Sequence, residues 1–299
     1  MPSTRDIRRR IKSGKNTAQI IKAMQLAAAS KMKKAQDQAV AGRPYADLLN
    51  KVLVNLKEQS EKGAHPLFEE RASGPELMVV VTSDKGLCGG LNTNILRLVH
   101  ANSSANTEFV AVGVKGKRAL AKLNRKLVAD FPVKDPVQFA ETKVISQFLM
   151  DKFIREKYAV VKVAFTNFIN TVTLEPLIET LLPVRAIDLG DHKQFVGVGR
   201  KSENVTAPSH EPGPGGYVCE PSVEAVLGTI IPLYVNNELY QMVVESRASE
   251  HSARMVAMKN ATDNAKDLIK ELTLDYNKQR QAAITSELLE ITTAMRALD

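Results

Sequence analysis

Ser83-Asp84-Lys85-Gly86-Leu87-Cys88-Gly89-Gly90-Leu91-Asn92 combines glycines, a lysine and a place between a strand-type run and a helix-type run. A backbone of that kind can approach a phosphate at a helix N-terminus. The spacing is neither G-x-G-x-x-G nor G-x-x-x-x-G-K-[ST], so two readings stand: a nucleotide-phosphate site, or a tight turn and contact loop. Cys88 lies where a helix start lowers a thiol's pKa, which is the setting of a nucleophile. Such a cysteine needs a histidine partner, and His65, His100, His192, His210 and His251 stand in no recognisable relation to it. The same five show no metal-ligand spacing and read as surface histidines. Two cysteines, Cys88 and Cys219, exclude a disulfide scaffold and a cysteine-based zinc site and fit a reducing compartment.

The second chemistry is electrostatic. Of 41 Lys+Arg and 33 Asp+Glu, residues 1–45 hold eleven bases (Arg5, Arg8, Arg9, Arg10, Lys12, Lys15, Lys22, Lys31, Lys33, Lys34, Arg43) against Asp6 and Asp37. That segment is +9 and the rest of the chain is −1, so the formal +8 belongs to one stretch and asks for an acidic partner. The candidates are nucleic acid, a membrane surface or an acidic protein, beside the plain reading of a solvated helix face. Aromatic content of 5% without Trp argues against a stacking single-strand binder. With 44% hydrophobic and 25% charged residues, the 299-residue chain has the make-up of a soluble globular protein. No apolar run approaches the roughly 18 residues of a membrane span.

The elements that must position these residues fall into three parts: 1–59, 60–221 and 222–299. In the first, Ser3-x-x-Asp6 forms a capping-box pattern. The seam Ile7, Ile11, Gly14, Ala18, Ile21, Gln25, Ala28, Met32, Ala35, Ala39, Gly42, Ala46, Leu49, Leu53, Leu56 then alternates steps of four and three. A sustained period of 3.5 predicts a coiled-coil helix, with Pro44 as a kink point. In the third, Ser222 is a reasonable N-cap. Ala261, Ala265, Leu268, Leu272 and then Ile284, Leu288, Ile291, Met295, Leu298 keep the same spacing, with a break of phase between. A helix over 222–298 would be about 115 Å long. Between them, strand-type runs at Leu77–Ser83, Phe109–Gly113 and Ala159–Thr166 alternate with helical stretches near Thr93–Ala101, Lys117–Lys122 and Val137–Lys157. That alternation predicts an α/β layer with a largely parallel sheet. Thr171–Thr180 reads as an added edge strand because it contains Pro176, and 186–216 reads as a loop and turn region. Pairing the two terminal helices antiparallel buries both seams.

Lys15-Asn16-Thr17-Ala18-Gln19-Ile20, Lys22-Ala23-Met24, Ala28-Ala29-Ser30-Lys31-Met32-Lys33-Lys34-Ala35-Gln36 and Arg43-Pro44-Tyr45 strongly resemble the N-terminus of the γ subunits of F-type ATP synthases. Ser83–Asn92 is similar to that family's glycine-rich loop. Ser249–Lys259, Tyr276-Asn277-Lys278 and Ile284–Glu290 match its C-terminal helix. The resemblance spans the chain in order, dense at both ends and thin across 105–220. It departs from the family where Ala294-Met295 replaces an expected Gly-Ala, and where Gly14 and Ile21 replace the commoner Val and Thr.

The resemblance implies α/β plus long helices: an antiparallel coiled coil of N- and C-terminal helices with a central Rossmann-like α/β domain. It implies a central rotor stalk coupling ion flow and ring rotation to ATP synthesis or hydrolysis at the β subunits. No catalytic site, cofactor or metal of its own is expected. The implied partners are the α and β subunits of an α3β3 hexamer, the ε and δ subunits and the c-subunit ring, with no nucleic acid. The expected location is peripheral, on the cytoplasmic face of a bacterial inner membrane. Because the chain begins directly with the coiled coil, a bacterial form is expected over an organellar precursor. By similarity, Lys15, Lys22, Met24, Lys31, Lys33, Lys34, Cys88, Arg254, Arg280, Gln281, Thr285 and Glu287 would contact the hexamer. Ile291, Met295 and Leu298 would turn in its apolar bearing, and Arg43, Pro44 and Tyr45 would stand over the ring. A nucleotide-dependent enzyme and a basic coiled-coil nucleic-acid binder are the two rival readings.

Overall fold

A computed structural model describes residues 3–58, 65–71, 73–156, 158–184 and 219–298, so the loop expected over 186–216 lies outside the described residues. Two very long helices bracket the chain: α1 (Thr4–Glu58) and α5 (Val223–Leu298). Ser3 and Asp6 close the box at the start of α1, with the Asp6 N–H donating to Ser3 Oγ at 3.2 Å and that hydroxyl donating to Asp6 Oδ2 at 2.9 Å. Ser222 caps α5, accepting from the Ala225 N–H at 3.3 Å. Both helices run through their internal prolines, Pro44 and Pro232.

Between them lie β1 (Glu76–Val81), α2 (Leu91–Ala101), β2 (Thr107–Val112), α3 (Val114–Lys122), β3 (Leu127–Phe131), α4 (Phe139–Arg155), β4 (Val160–Phe168) and β5 (Leu174–Leu182), preceded by a 3₁₀ turn at Pro66–Phe68. The sheet order is β3-β2-β1-β4-β5. The first four strands are parallel, and β5 returns antiparallel on β4 as the edge strand that Pro176 requires. β3 has no counterpart among the runs read from sequence. Its five residues Leu-Val-Ala-Asp-Phe sit half-exposed at the other edge, where an apolar run is not needed.

Alternation along the strands builds two cores. Leu77, Val79, Val81, Val110, Val112, Val163 and Phe165 face one way, in a cluster that includes Ile145, Leu149 and Phe153 of α4, Leu53 and Leu56 of α1, and Leu227 to Val243 of α5. Met78, Val80, Phe109, Ala111 and Ala164 face the other way, with Ile95, Val99 and Leu120 of α2 and α3.

The chain divides into two compact units, residues 1–28 with 255–299 and residues 29–254. In the first, the α1 seam is covered at every expected position from Ile7 to Ala28, while the basic positions between are exposed. A Cβ on Gly14 would meet Ile269 Cγ1 at 3.3 Å, so the small residue admits its partner side chain closely. In the second, Ala35 clusters with Ala248, and Gly42 lies against Gln241. Numbers fall on one helix as they rise on the other. The pairing is antiparallel.

The α5 seam differs in detail from the spacing expected. From Met258 on, its covered positions are Met258, Ala261, Thr262, Ala265, Ile269, Leu272, Tyr276 and Gln279, so Ala261, Ala265 and Leu272 are covered as expected and Leu268 is instead 53% exposed. Adjacent apolar residues made the phase ambiguous, and Thr262 hides its hydroxyl by donating to the Met258 carbonyl at 2.8 Å. There is no break in phase before 279; coverage simply ends there.

Candidate interaction surface

With Gly14 opposite Ile269, the start of α1 at Thr4 falls opposite Gln279. From Arg280 to Met295 every side chain of α5 is exposed, Ile284, Leu288, Leu289, Ile291 and Met295 among them. Arg280, Gln281, Thr285 and Glu287 lie on this uncovered stretch, and Thr285 donates back to the Gln281 carbonyl at 2.9 Å. Leu298 is the last helical residue, and its side chain lies outside the described set. A segment that packs on nothing contributes little to folding. Ending the chain after Arg280 is therefore expected to move the melting temperature of the isolated chain by no more than about 2 °C, read by circular dichroism.

Along α1, Lys15, Lys22, Lys33 and Lys34 are exposed and Met24 is half-buried. Lys22 donates to Gln25 within its own helix at 3.2 Å. Lys31 is different: its ammonium is 2.8 Å from Asp135 Oδ2, so part of its charge is satisfied within the chain. Pro44 and Tyr45 are exposed, and Arg43 is helical with its side chain outside the described set.

The glycine-rich loop is closed on itself. Asn92 accepts from the Ser83 N–H at 3.1 Å and donates to Ser83 Oγ at 2.7 Å and to Cys88 Sγ at 3.2 Å. Cys88 is buried, so the side chains the loop presents outward include Lys85 and the apolar Leu87, the latter 60% exposed and held at φ 63°. Asp84 works in two directions: Oδ1 accepts from the Val114 N–H at the start of α3 (3.1 Å), and Oδ2 binds Arg247 of α5 (2.9 Å). The loop thus fastens two helices, which is the turn-and-contact reading of its sequence.

Beneath it lies a cluster that sequence reading missed. Residues 245–252 of α5, Glu-Ser-Arg-Ala-Ser-Glu-His-Ser, are buried throughout. Arg247 donates to Glu250 (2.7 Å), Asp84 and the Val133 carbonyl (2.7 Å). Burial alone would lower its pKa, but Glu250 and Asp84 outweigh that and hold it above the ordinary guanidinium value. Arg254 binds Glu250 at 2.7 Å and lies 3.3–3.4 Å from the Lys85 and Gly86 carbonyls. Ser249 and Ser252 donate to the Thr166 and Thr171 carbonyls at 3.0 Å. Desolvation raises the pKa of Asp135, yet Lys31 and His251 bring it below the usual carboxylate value. Among the described residues no group of His, Cys, Asp and Glu is placed to hold a metal. No described helix is long and apolar enough to cross a membrane.

A family model described as ATP synthase matches residues 3–298. The ATP synthase gamma chain of Akkermansia muciniphila is 48% identical over 299 residues, covering all of both chains. That of Opitutus terrae is 46% identical over 297 residues, covering 99% of each. Among solved structures, a chain of the central stalk/c-ring of the Tetrahymena thermophila mitochondrial ATP synthase is 26% identical with a TM-score of 0.60, covering 81% of this chain and 99% of that one. A chain of the Euglena gracilis mitochondrial ATP synthase rotor shares the fold at 17% identity, with a TM-score of 0.62 over 94% and 98% of the two chains. The same two long helices around the same mixed sheet, matched end to end in sequence, mean that this chain belongs to the ATP synthase γ-chain family.

Proposed function

We propose that this chain, the central stalk of an ATP synthase, transmits rotation between a membrane ring and the catalytic β subunits while holding no catalytic site of its own. Ion flow turns the ring, the ring turns the stalk, and the stalk's changing face biases each catalytic site differently. ATP hydrolysis drives the same cycle in reverse. Equivalent sites in a symmetric hexamer differ only if something makes unequal contacts with them. The observation that carries this reading is the unequal length of the paired helices: α5 continues uncovered beyond Gln279, with an apolar stripe through Ile284, Leu288, Ile291 and Met295. We assign that stripe, with Leu298, to a bearing inside the α3β3 hexamer. Arg254, Arg280, Gln281, Thr285 and Glu287 are proposed as further hexamer contacts.

Lys15, Lys22, Met24, Lys31, Lys33 and Lys34 are proposed to meet acidic loops of the β subunits, and the loop of Cys88 to meet the hexamer from below through Leu87. Arg43, Pro44 and Tyr45 are assigned to the foot over the c ring, beside ε, with δ elsewhere in the complex. The location that follows is peripheral, at the cytoplasmic face of a bacterial inner membrane. The division into helix 1–59, sheet domain 60–221 and helix 222–299 is kept as the functional anatomy. The test replaces Lys22, Lys33 and Lys34 together by Glu in the assembled complex. Like charges then face each other across the contact. Proton pumping per ATP hydrolysed, measured in inverted vesicles, is expected to fall severalfold. Unchanged coupling would remove the electrostatic part of the assignment.

A further inference from the structure

His251 sits at the centre of the buried cluster, with its side chain 4% exposed. Asp135 from the loop before α4 and Glu250 and Arg254 from α5 act on the ring; Lys31 from α1 and Arg247 from α5 pair with those carboxylates, and Asp84 from the loop after β1 pairs with Arg247. Those six charges are three cations and three anions. They are balanced with the imidazole neutral. Its tautomer follows from its neighbours: Arg254, which has only donors, lies 3.3 Å from Nδ1, so Nδ1 accepts and the ring proton is on Nε2. Nε2 is 3.2 Å from Asp135 Oδ2 but out of line for a hydrogen bond. That same oxygen is held by Lys31.

We propose that His251 is a proton-operated latch: an added proton at Nδ1 displaces Arg254 from the ring, draws Asp135 from Lys31, and loosens the hold on the glycine-rich loop. The added proton comes from solvent and the site gains one positive charge. Glu250 is already held by both Arg247 and Arg254, so His251 and Lys31 must share Asp135. Lys31, with a side chain 55% exposed, is the cation that can leave for water. Arg254 meets a new positive charge where it formerly donated, and its contacts to the Lys85 and Gly86 carbonyls at 3.3–3.4 Å are long enough to be the ones given up. Leu87, next to those carbonyls, is an exposed apolar residue that would move with them.

Desolvation holds the ring's pKa below its ordinary 6.5, Asp135 and Glu250 bring it part of the way back, and Arg254 lowers it again. The latch is therefore closed at neutral pH. Between the folded and unfolded values the unfolded chain binds a proton that the folded chain does not, so stability falls as pH drops through that window.

The chain has no Trp, so Leu87→Trp makes a single reporter in the full-length protein. Its emission is expected to change along one titration curve with a midpoint below 6.5 while helical circular dichroism stays constant. His251→Gln in that background is expected to abolish the curve, and Asp135→Asn to move its midpoint to lower pH. Emission flat from pH 5 to 8, a curve that persists in His251→Gln, or one that coincides with loss of helix overturns the latch. If His251→Gln fails to fold, the Asp135→Asn arm decides, and a midpoint unmoved or raised overturns it.

Discussion

Substitution of Gly113 by alanine is expected to destabilise the chain by about 3–6 kcal/mol, through backbone strain and steric overlap together. Gly113 turns the chain from the end of β2 directly into α3, at φ 101°, a conformation L side chains rarely adopt. A Cβ there would lie 2.2 Å from the Thr82 carbonyl oxygen. That oxygen is backbone and cannot swing aside. Thr82 is itself fixed, because its N–H donates to the Val112 carbonyl at 2.8 Å and its hydroxyl accepts from the Gly116 N–H at 2.8 Å. Urea denaturation of the isolated chain reads the loss, and Gly89→Ala provides the comparison. Gly89 is also left-handed, at φ 58°, but a Cβ there meets nothing within 4 Å, so its cost should stay near 1 kcal/mol. Equal losses at the two sites would mean that the contact with Thr82 is not what constrains position 113.

The second large effect is at Arg247. Its side chain is 6% exposed and that of Glu250 is 7% exposed, so truncating the arginine to alanine leaves a carboxylate in the interior with one partner fewer. Breaking a buried pair on one side costs about 3–5 kcal/mol. Asp84 and the Val133 carbonyl lose their donor in the same step, so the glycine-rich loop and the loop before α4 should both loosen. Replacing Arg247 and Glu250 together by Met and Leu takes the interior carboxylate away with its partner and leaves Arg254 and Asp84, with side chains 12% and 34% exposed, each one partner short, so it should cost less than Arg247→Ala. Thermal melts of the three proteins give the comparison. A double variant as unstable as the single one would contradict the account.

How much was legible in sequence differs from element to element for physical reasons. The seam of α1 was readable because its apolar and small residues stand alone among polar ones: every expected position whose side chain is described is covered. The seam of α5 was readable only in part. At 268–269 two apolar residues compete for one position, and at 262 a threonine fills a buried place that composition assigns to something greasier. β3 passed unnoticed because an edge strand with Asp130 near its end carries little alternation. The polar cluster was the least visible. Glu245 to Ser252 looks like a solvated face, and its burial depends on acceptors at Asp84, Val133, Thr166 and Thr171, more than 80 positions away. Hydrophobic period registers what water expels, and it is silent about polar groups that find partners across the fold.

The first compact unit is made from the two ends of the chain, residues 1–28 and 255–299. During synthesis its two halves are therefore born far apart in time. At about 5–20 residues per second, the basic half waits roughly 10–50 s for its partner. Closing so long a loop from a disordered chain would cost about 5 kcal/mol in entropy. The unit between them removes that obstacle when it folds, because it already holds Ala35 beside Ala248 and joins Lys31 to His251 through Asp135. The coiled coil can then zip outward one turn at a time, and the order of assembly is written into which residues touch first.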